Sequence, residues 1–146
     1  MEYTIYTDAS YSRLRSEGAF AFIILQGDKE VLRMAGKTTD AKDNNNRCEL
    51  KAIIAAVYKV PHDATKIRII SDSLYALNTL NRKYKRRANK DLFELWDKRI
   101  MPFCTEIDFE WLFVKGHTGD EYNELCDSLC IEKLGYNPRE ENVKTE

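Results

Sequence analysis

The run Tyr3-Thr4-Ile5-Tyr6-Thr7-Asp8 alternates two sets of side chains and then stops at a carboxylate. Aromatic and β-branched residues at period two suit a half-buried strand. A second run, Lys66-Ile67-Arg68-Ile69-Ile70-Ser71-Asp72, has the same form and the same acidic ending. If the two strands are neighbours, both carboxylates fall at one sheet edge, where open sheets build their sites. Two further acids stand where a carboxylate is unexpected. Glu49 shares a helix face with Ala52, Ile53 and Ala56, and Asp127 shares one with Cys130, Ile131 and Leu134. Core-facing carboxylates are costly unless paired or bound to a metal. Four that converge could hold divalent cations and support phosphoryl-transfer chemistry.

The elements between these points follow from pattern. Residues 2–8 read as a strand and 9–18 as a polar loop. Residues 19–25 form an apolar run suited to a well-buried strand, Gly27-Asp28 supplies turn chemistry, and 30–35 return. Three consecutive antiparallel strands result. Asp43 or an early Asn is suited to cap a helix over 45–59, which ends before Pro61. A strand over 66–71, helices over 73–81 and 89–101, a strand over 107–114 and a helix over 121–134 complete the order. Gly135 and Pro138 close the last helix. The predicted architecture is an α/β domain, a five-stranded mixed sheet flanked by helices. The domain spans 1–137, and the charged residues 138–146 are expected to form a flexible tail.

The 146 residues suit a single domain. The longest apolar run, 19–25, is too short to cross a bilayer, so no membrane partner is expected. No basic, apolar leader pattern opens the chain, which predicts a cytoplasmic protein with reduced cysteines. Cys126 and Cys130 share a helix face, but no Cys-x-x-Cys pair accompanies them, and buried thiols are favoured over zinc. The net charge is −1, yet Arg82, Lys83, Lys85, Arg86, Arg87 and Lys90 fall together without an acid. Such a block is usually a solvated face, and it becomes a phosphate contact only where other features point to nucleic acid.

Other features do. Tyr6-Thr7-Asp8-Ala9-Ser10, Asn45-Asn46-Arg47-Cys48-Glu49-Leu50, Ser71-Asp72-Ser73-Leu74-Tyr75 and Val114-Lys115-Gly116-His117-Thr118-Gly119 occur in this order, followed by Asn123-Glu124-x-x-Asp127. The set resembles type 1 ribonuclease H, over nearly the whole chain from Tyr3 to about Leu134. The resemblance implies a ribonuclease H-like fold and endonucleolytic hydrolysis of the RNA strand of RNA–DNA hybrids, leaving 5′-phosphate and 3′-hydroxyl ends. It implies Mg²⁺ as two ions per site, with Mn²⁺ able to substitute, and an RNA–DNA hybrid duplex as partner; a monomer is the default expectation.

The resemblance also distributes roles. Asp8, Glu49, Asp72 and Asp127 become the metal ligands, with Asp8 shared between both ions, Asp127 on the water-activating side, and Glu49 and Asp72 on the leaving-oxygen side. His117 becomes an aid to proton transfer or product release. Asn45 and Asn46 meet the minor groove and backbone of the hybrid, where amides can sense a 2′-hydroxyl. Ser10, Arg47, Ser73, Arg86, Arg87, Asn89 and Lys90 join them as substrate contacts. Some positions depart from the family pattern. Ala9 replaces a usual glycine, Leu74 replaces a glutamine that reads a base edge, and the basic protrusion is short and lacks its tryptophans. Weaker hybrid affinity is expected from these changes.

Two rival readings stand beside this one. Junction resolvases and transposase-like nucleases share clustered carboxylates, but they do not usually carry Asn-Asn-Arg-x-Glu with Lys-Gly-His-Thr-Gly. Non-catalytic modules of the same fold typically lack one or more acids, and all four are present here.

Overall fold

The computed structural model describes residues 1–116 and 119–144. Three strands form an antiparallel meander: β1 (Glu2–Ser12), β2 (Glu17–Gln26) and β3 (Lys29–Thr38). β4 (Lys66–Ser71) and β5 (Asp108–Phe113) add in parallel, giving the order β3-β2-β1-β4-β5. The five-stranded mixed sheet predicted from the pattern is therefore the observed one.

β2 is buried on both faces and explains the two-layer cover. Ala19, Ala21, Ile23 and Leu25 face α4 (Glu121–Leu134), where Cys126, Cys130 and Leu134 complete one core. Phe22 and Ile24 face the opposite way with Tyr3, Ile5, Ile67 and Ile69. That larger core is closed by α1 (Asn45–Lys59), α2 (Leu74–Leu80) and α3 (Lys90–Leu95). Its outer end is aromatic, with Trp96, Phe109 and Trp111 ring centroids 5.7–6.2 Å apart.

Three predicted elements are corrected. The first strand does not stop at Asp8 but continues to Ser12, pairing Asp8 with Ala21 and Tyr11 with Gly18. Its serines suggested a loop, yet Ser10 and Ser12 are buried, and Ser12 finds a polar partner in Glu141. The helix expected over 89–101 is α3 followed by a π turn (Trp96–Ile100) and a 3₁₀ turn (Met101–Phe103). Both Trp96 and Ile100 are buried at the ends of that widened turn. The segment expected as a flexible tail contains a helix, α5 (Pro138–Lys144), whose Arg139 and Glu141 reach back to the body.

The helix boundaries that matter for the site have simple local causes. Asn44 caps α1 through its side chain, accepting from the Arg47 N–H. Ser73 caps α2 by accepting from Ala76, and Asp120 caps α4 by accepting from Asn123. Gly135 takes a left-handed conformation (φ 88°) and ends α4.

Candidate metal centre and active site

The site begins where two neighbouring strands part. The β1–β4 register closes at Tyr6 and Ile70. Beyond it β1 continues along β2 alone, while the chain after β4 turns toward α2. Asp8 and Asp72 stand on the two sides of that opening. Glu49 enters from the N-terminal half of α1, on one face of the sheet, and Asp127 from α4 on the other.

Asp8, Glu49 and Asp72 each bring a carboxylate oxygen within 4.8 Å of the other two. Asp8 and Glu49 are buried. Burial, followed by the charge of Asp72, pushes the Asp8 carboxyl up to about 8, against a 2.9 Å hydrogen bond from the Ala9 N–H that favours the anion. Burial, then the charges of Asp8 and Asp72, raise Glu49 well above the usual carboxylate range. Asp8 also feels Asp127, so it is the common neighbour of both sides of the site.

The donor chemistry fits a hard divalent cation. Glu49 Oε1 and Asp72 Oδ1 are buried with no hydrogen-bond partner among the described residues. An unsatisfied buried oxygen is costly unless something outside the chain completes it. Oxygen-only ligands suit Mg²⁺ or Mn²⁺. Gly116 keeps the space clear, because a Cβ there would lie 2.7 Å from Asp72 Oδ2. The thiols behind the site play another part. Cys126 and Cys130 donate to the carbonyls of Tyr6 and Asp8 (3.5 and 3.6 Å), and burial raises both well above the usual thiol range.

The family model for RNase H matches residues 1–134. The chain belongs to the ribonuclease H family. Its likeness to the ribonuclease H of Thermoanaerobacter sp. strain X514 is 31% identity, covering 93% of this chain and 92% of the relative. A ribonuclease H from a Wolbachia strain of Drosophila simulans is 34% identical, covering 88% and 92%. Two solved structures share the fold. These are RNase H1 of the archaeon Halobacterium salinarum (TM-score 0.72, 21% identity, 92% and 98% covered) and an N-terminal RNase H domain from Mycobacterium tuberculosis (0.75, 14%, 92% and 94%). Membership in ribonuclease H makes the chain an enzyme, and the family's activity is endonucleolytic cleavage of RNA in RNA–DNA hybrids.

As a ribonuclease H, the chain disposes its other candidate residues unevenly. Asn45 and Asn46 are exposed at the start of α1, beside Tyr11 and Arg13 in an open cleft. Ser10 lines the acidic cleft itself. Ser73 serves as the α2 cap. Arg87 and Lys90 are exposed. Arg47, expected beside the phosphate path, is instead buried. Its guanidinium bonds Asp91 through both terminal nitrogens (2.8 and 2.9 Å) and Asp43 through Nε (3.0 Å). Asn89 is drawn into that network, accepting from Arg47 and donating to Tyr75. Arg86 is likewise committed, to Asp97, to the Thr79 and Leu80 carbonyls and to the Phe93 ring. These three residues hold α1, α2 and α3 together. His117 lies outside the described residues.

One participant was missed from the sequence. Arg139 donates to both oxygens of Asp127, at 3.1 and 3.0 Å. A signal for its helix was present in Asn137-Pro138-Arg139-Glu140-Glu141: a capping Asn, Pro at the first helical position, then acids in the first turn. The Asn137 side chain does cap, accepting from the Arg139 N–H at 3.0 Å.

Proposed function

We propose that this chain hydrolyses the RNA strand of an RNA–DNA hybrid with Mg²⁺ as cofactor, two ions per site, leaving 5′-phosphate and 3′-hydroxyl ends. The observation that carries this is the meeting of Asp8, Glu49 and Asp72 within 4.8 Å, with two of their buried oxygens unpartnered. Glu49 and Asp72 would hold one ion, Asp127 the other, and Asp8, which senses both sides, would be shared. Bound there, such cations polarise the phosphodiester, activate water and neutralise the leaving oxygen. Mn²⁺ would substitute, since its ligand preference is similar.

The chain's own groups prepare the site. In the metal-free protein the acidic cluster retains protons that divalent cations would displace. Gly116 leaves the Asp72 carboxylate room to turn toward a ligand. Asn45 and Asn46 offer amides at the cleft rim, suited to a ribose 2′-hydroxyl and the adjacent backbone. Arg87 and Lys90 supply sequence-independent attraction to phosphates. His117 would assist proton transfer or product release. The enzyme would act as a cytoplasmic monomer.

The test is an end-labelled RNA–DNA hybrid incubated with the protein, with and without Mg²⁺. Double-stranded DNA, double-stranded RNA and single-stranded RNA run alongside, with Asp72→Asn as control. Metal-dependent cutting of the hybrid's RNA strand alone, lost in the variant, is the expected result. A folded, metal-bound protein that leaves the hybrid intact would refute it.

A further inference from the structure

The four carboxylates are not equivalent. Glu49 and Asp72 each keep a buried oxygen without a partner. Asp127 has none to spare, because the Arg139 guanidinium takes both of its oxygens in a parallel fork. Fork–fork pairs of this kind are the stronger class of charged hydrogen bond. The fork is held in place from three sides. Pro138 is buried, Asn137 caps the backbone at Arg139, and Glu141 ties α5 to the β1–β2 hairpin through Ser12 (2.9 Å) and Arg15 (2.5 Å). Arg139 also lines the acidic cleft with Asp8, Glu49 and Asp72.

We propose that Arg139 is a positioning residue that caps Asp127 and competes with a divalent cation for it. The inference rests on the metal reading above and adds a residue from α5 to it. A cation that uses an Asp127 oxygen must first open the fork, so the Asp127 side of the site binds metal less tightly than the Asp8–Glu49–Asp72 side. Opening is feasible because the Arg139 side chain is half exposed, at 50%, and its head can pass to water. In exchange, the pair keeps Asp127 oriented and neutralised while no metal is present. α5 thereby gates the loading of one half of the centre.

The test is calorimetric titration of the full chain with Mn²⁺, which needs no turnover. Arg139→Gln is expected to tighten the weaker phase of binding up to about fivefold, the effect of losing a partly exposed ion pair of about 1 kcal/mol. Glu141→Gln, which loosens α5 without touching Asp127, is expected to move the same phase in the same direction by less. In an Asp127→Asn background the Arg139 substitution is expected to change nothing, because its target is gone. A gain that persists in that background would overturn the cap, since the guanidinium would then be acting on the cluster as a distant charge. Mn²⁺ binding that is abolished by Asp8→Asn but unmoved by Arg139→Gln would overturn the cap alone. No Mn²⁺ binding to any of the proteins would overturn the metal reading and the cap with it.

Discussion

Replacing Glu49 with Gln is expected to stabilise the metal-free protein and to weaken the metal-loaded one. Glu49 is buried, at 5% exposure, and shares a 4.8 Å cluster with Asp8 and Asp72. Two unit charges at that separation repel by about 3 kcal/mol at an effective dielectric of ~20. Shared protons relieve part of this, so the substitution should return about 1–3 kcal/mol in chelator at pH 8. For a domain of this size that corresponds to a rise of roughly 3–9 °C in Tm. The pH dependence carries the sign. Asp8 is raised from 3.8 to about 8 in the folded protein, and Glu49 is raised as well. The folded state therefore holds more protons than the unfolded state between about pH 4 and 8, and wild-type stability falls as pH rises through that window. The Gln variant should show a shallower fall, and the two proteins should converge near pH 5. Urea or thermal unfolding in chelator at pH 5 and pH 8 reads this directly. Saturating Mg²⁺ should then reverse the order, because the wild type gains about 2.7 kcal/mol at a hundredfold excess over Kd and the variant gains less. A Gln variant that is less stable than wild type in chelator at pH 8 would refute the reasoning, since Glu49 would then be held by a partner rather than opposed by its neighbours.

Four further outcomes follow from particular residues. Arg47→Ala should cost about 3 kcal/mol in urea unfolding, because it strips a buried partner from Asp43, whose side chain is fully buried, and Arg47→Lys should recover only part. Gly116→Ala should lower kcat/KM at least tenfold, because its Cβ would displace the Asp72 carboxylate that it meets at 2.7 Å, while the melting temperature changes little. Neutralising Arg87 and Lys90 together should reduce the slope of log K against log salt in hybrid binding by about one to two, with little change in stability. Arg86→Ala should show the opposite balance, losing stability through Asp97 and the α2 carbonyls.

The parts of this molecule that were legible in the sequence are those governed by short-range rules. Periodicity places β4, α1 and α4 with their observed limits, the two helices being bounded by side-chain caps at their starts and by the approach to Pro61 or by Gly135 at their ends. The four acids stood out because each ends a strand-like run or shares an apolar helix face. What escaped was set by distant partners. Ser10 and Ser12 look like loop residues until α5 supplies Glu141 to Ser12, at a separation of 129 residues. Arg47 looks like a substrate cation until Asp91, 44 residues away, closes its fork. Arg139 looks like tail until Asp127 takes it. In each case the polar side chain is the same in either environment, and only tertiary placement decides whether it meets water, substrate or an ion-pair partner.

The sign of neighbouring charges separates scaffold from chemistry more cleanly than residue type does. Buried Arg47 and Asp43 form a charged network with the partly buried Lys51 and the exposed Asp91, and there opposite charges meet and each buried charge has a partner. Such a network stabilises only when it is complete, which explains why Asn89 and Thr38 are drawn in to fill it. At Asp8, Glu49 and Asp72 like charges meet instead, and two oxygens remain without partners. Folding alone would select against that arrangement, because neutral or apolar side chains would pack there at lower cost. Like charges that the fold holds together at two strand ends and on a helix fit a ligand that arrives from outside the chain.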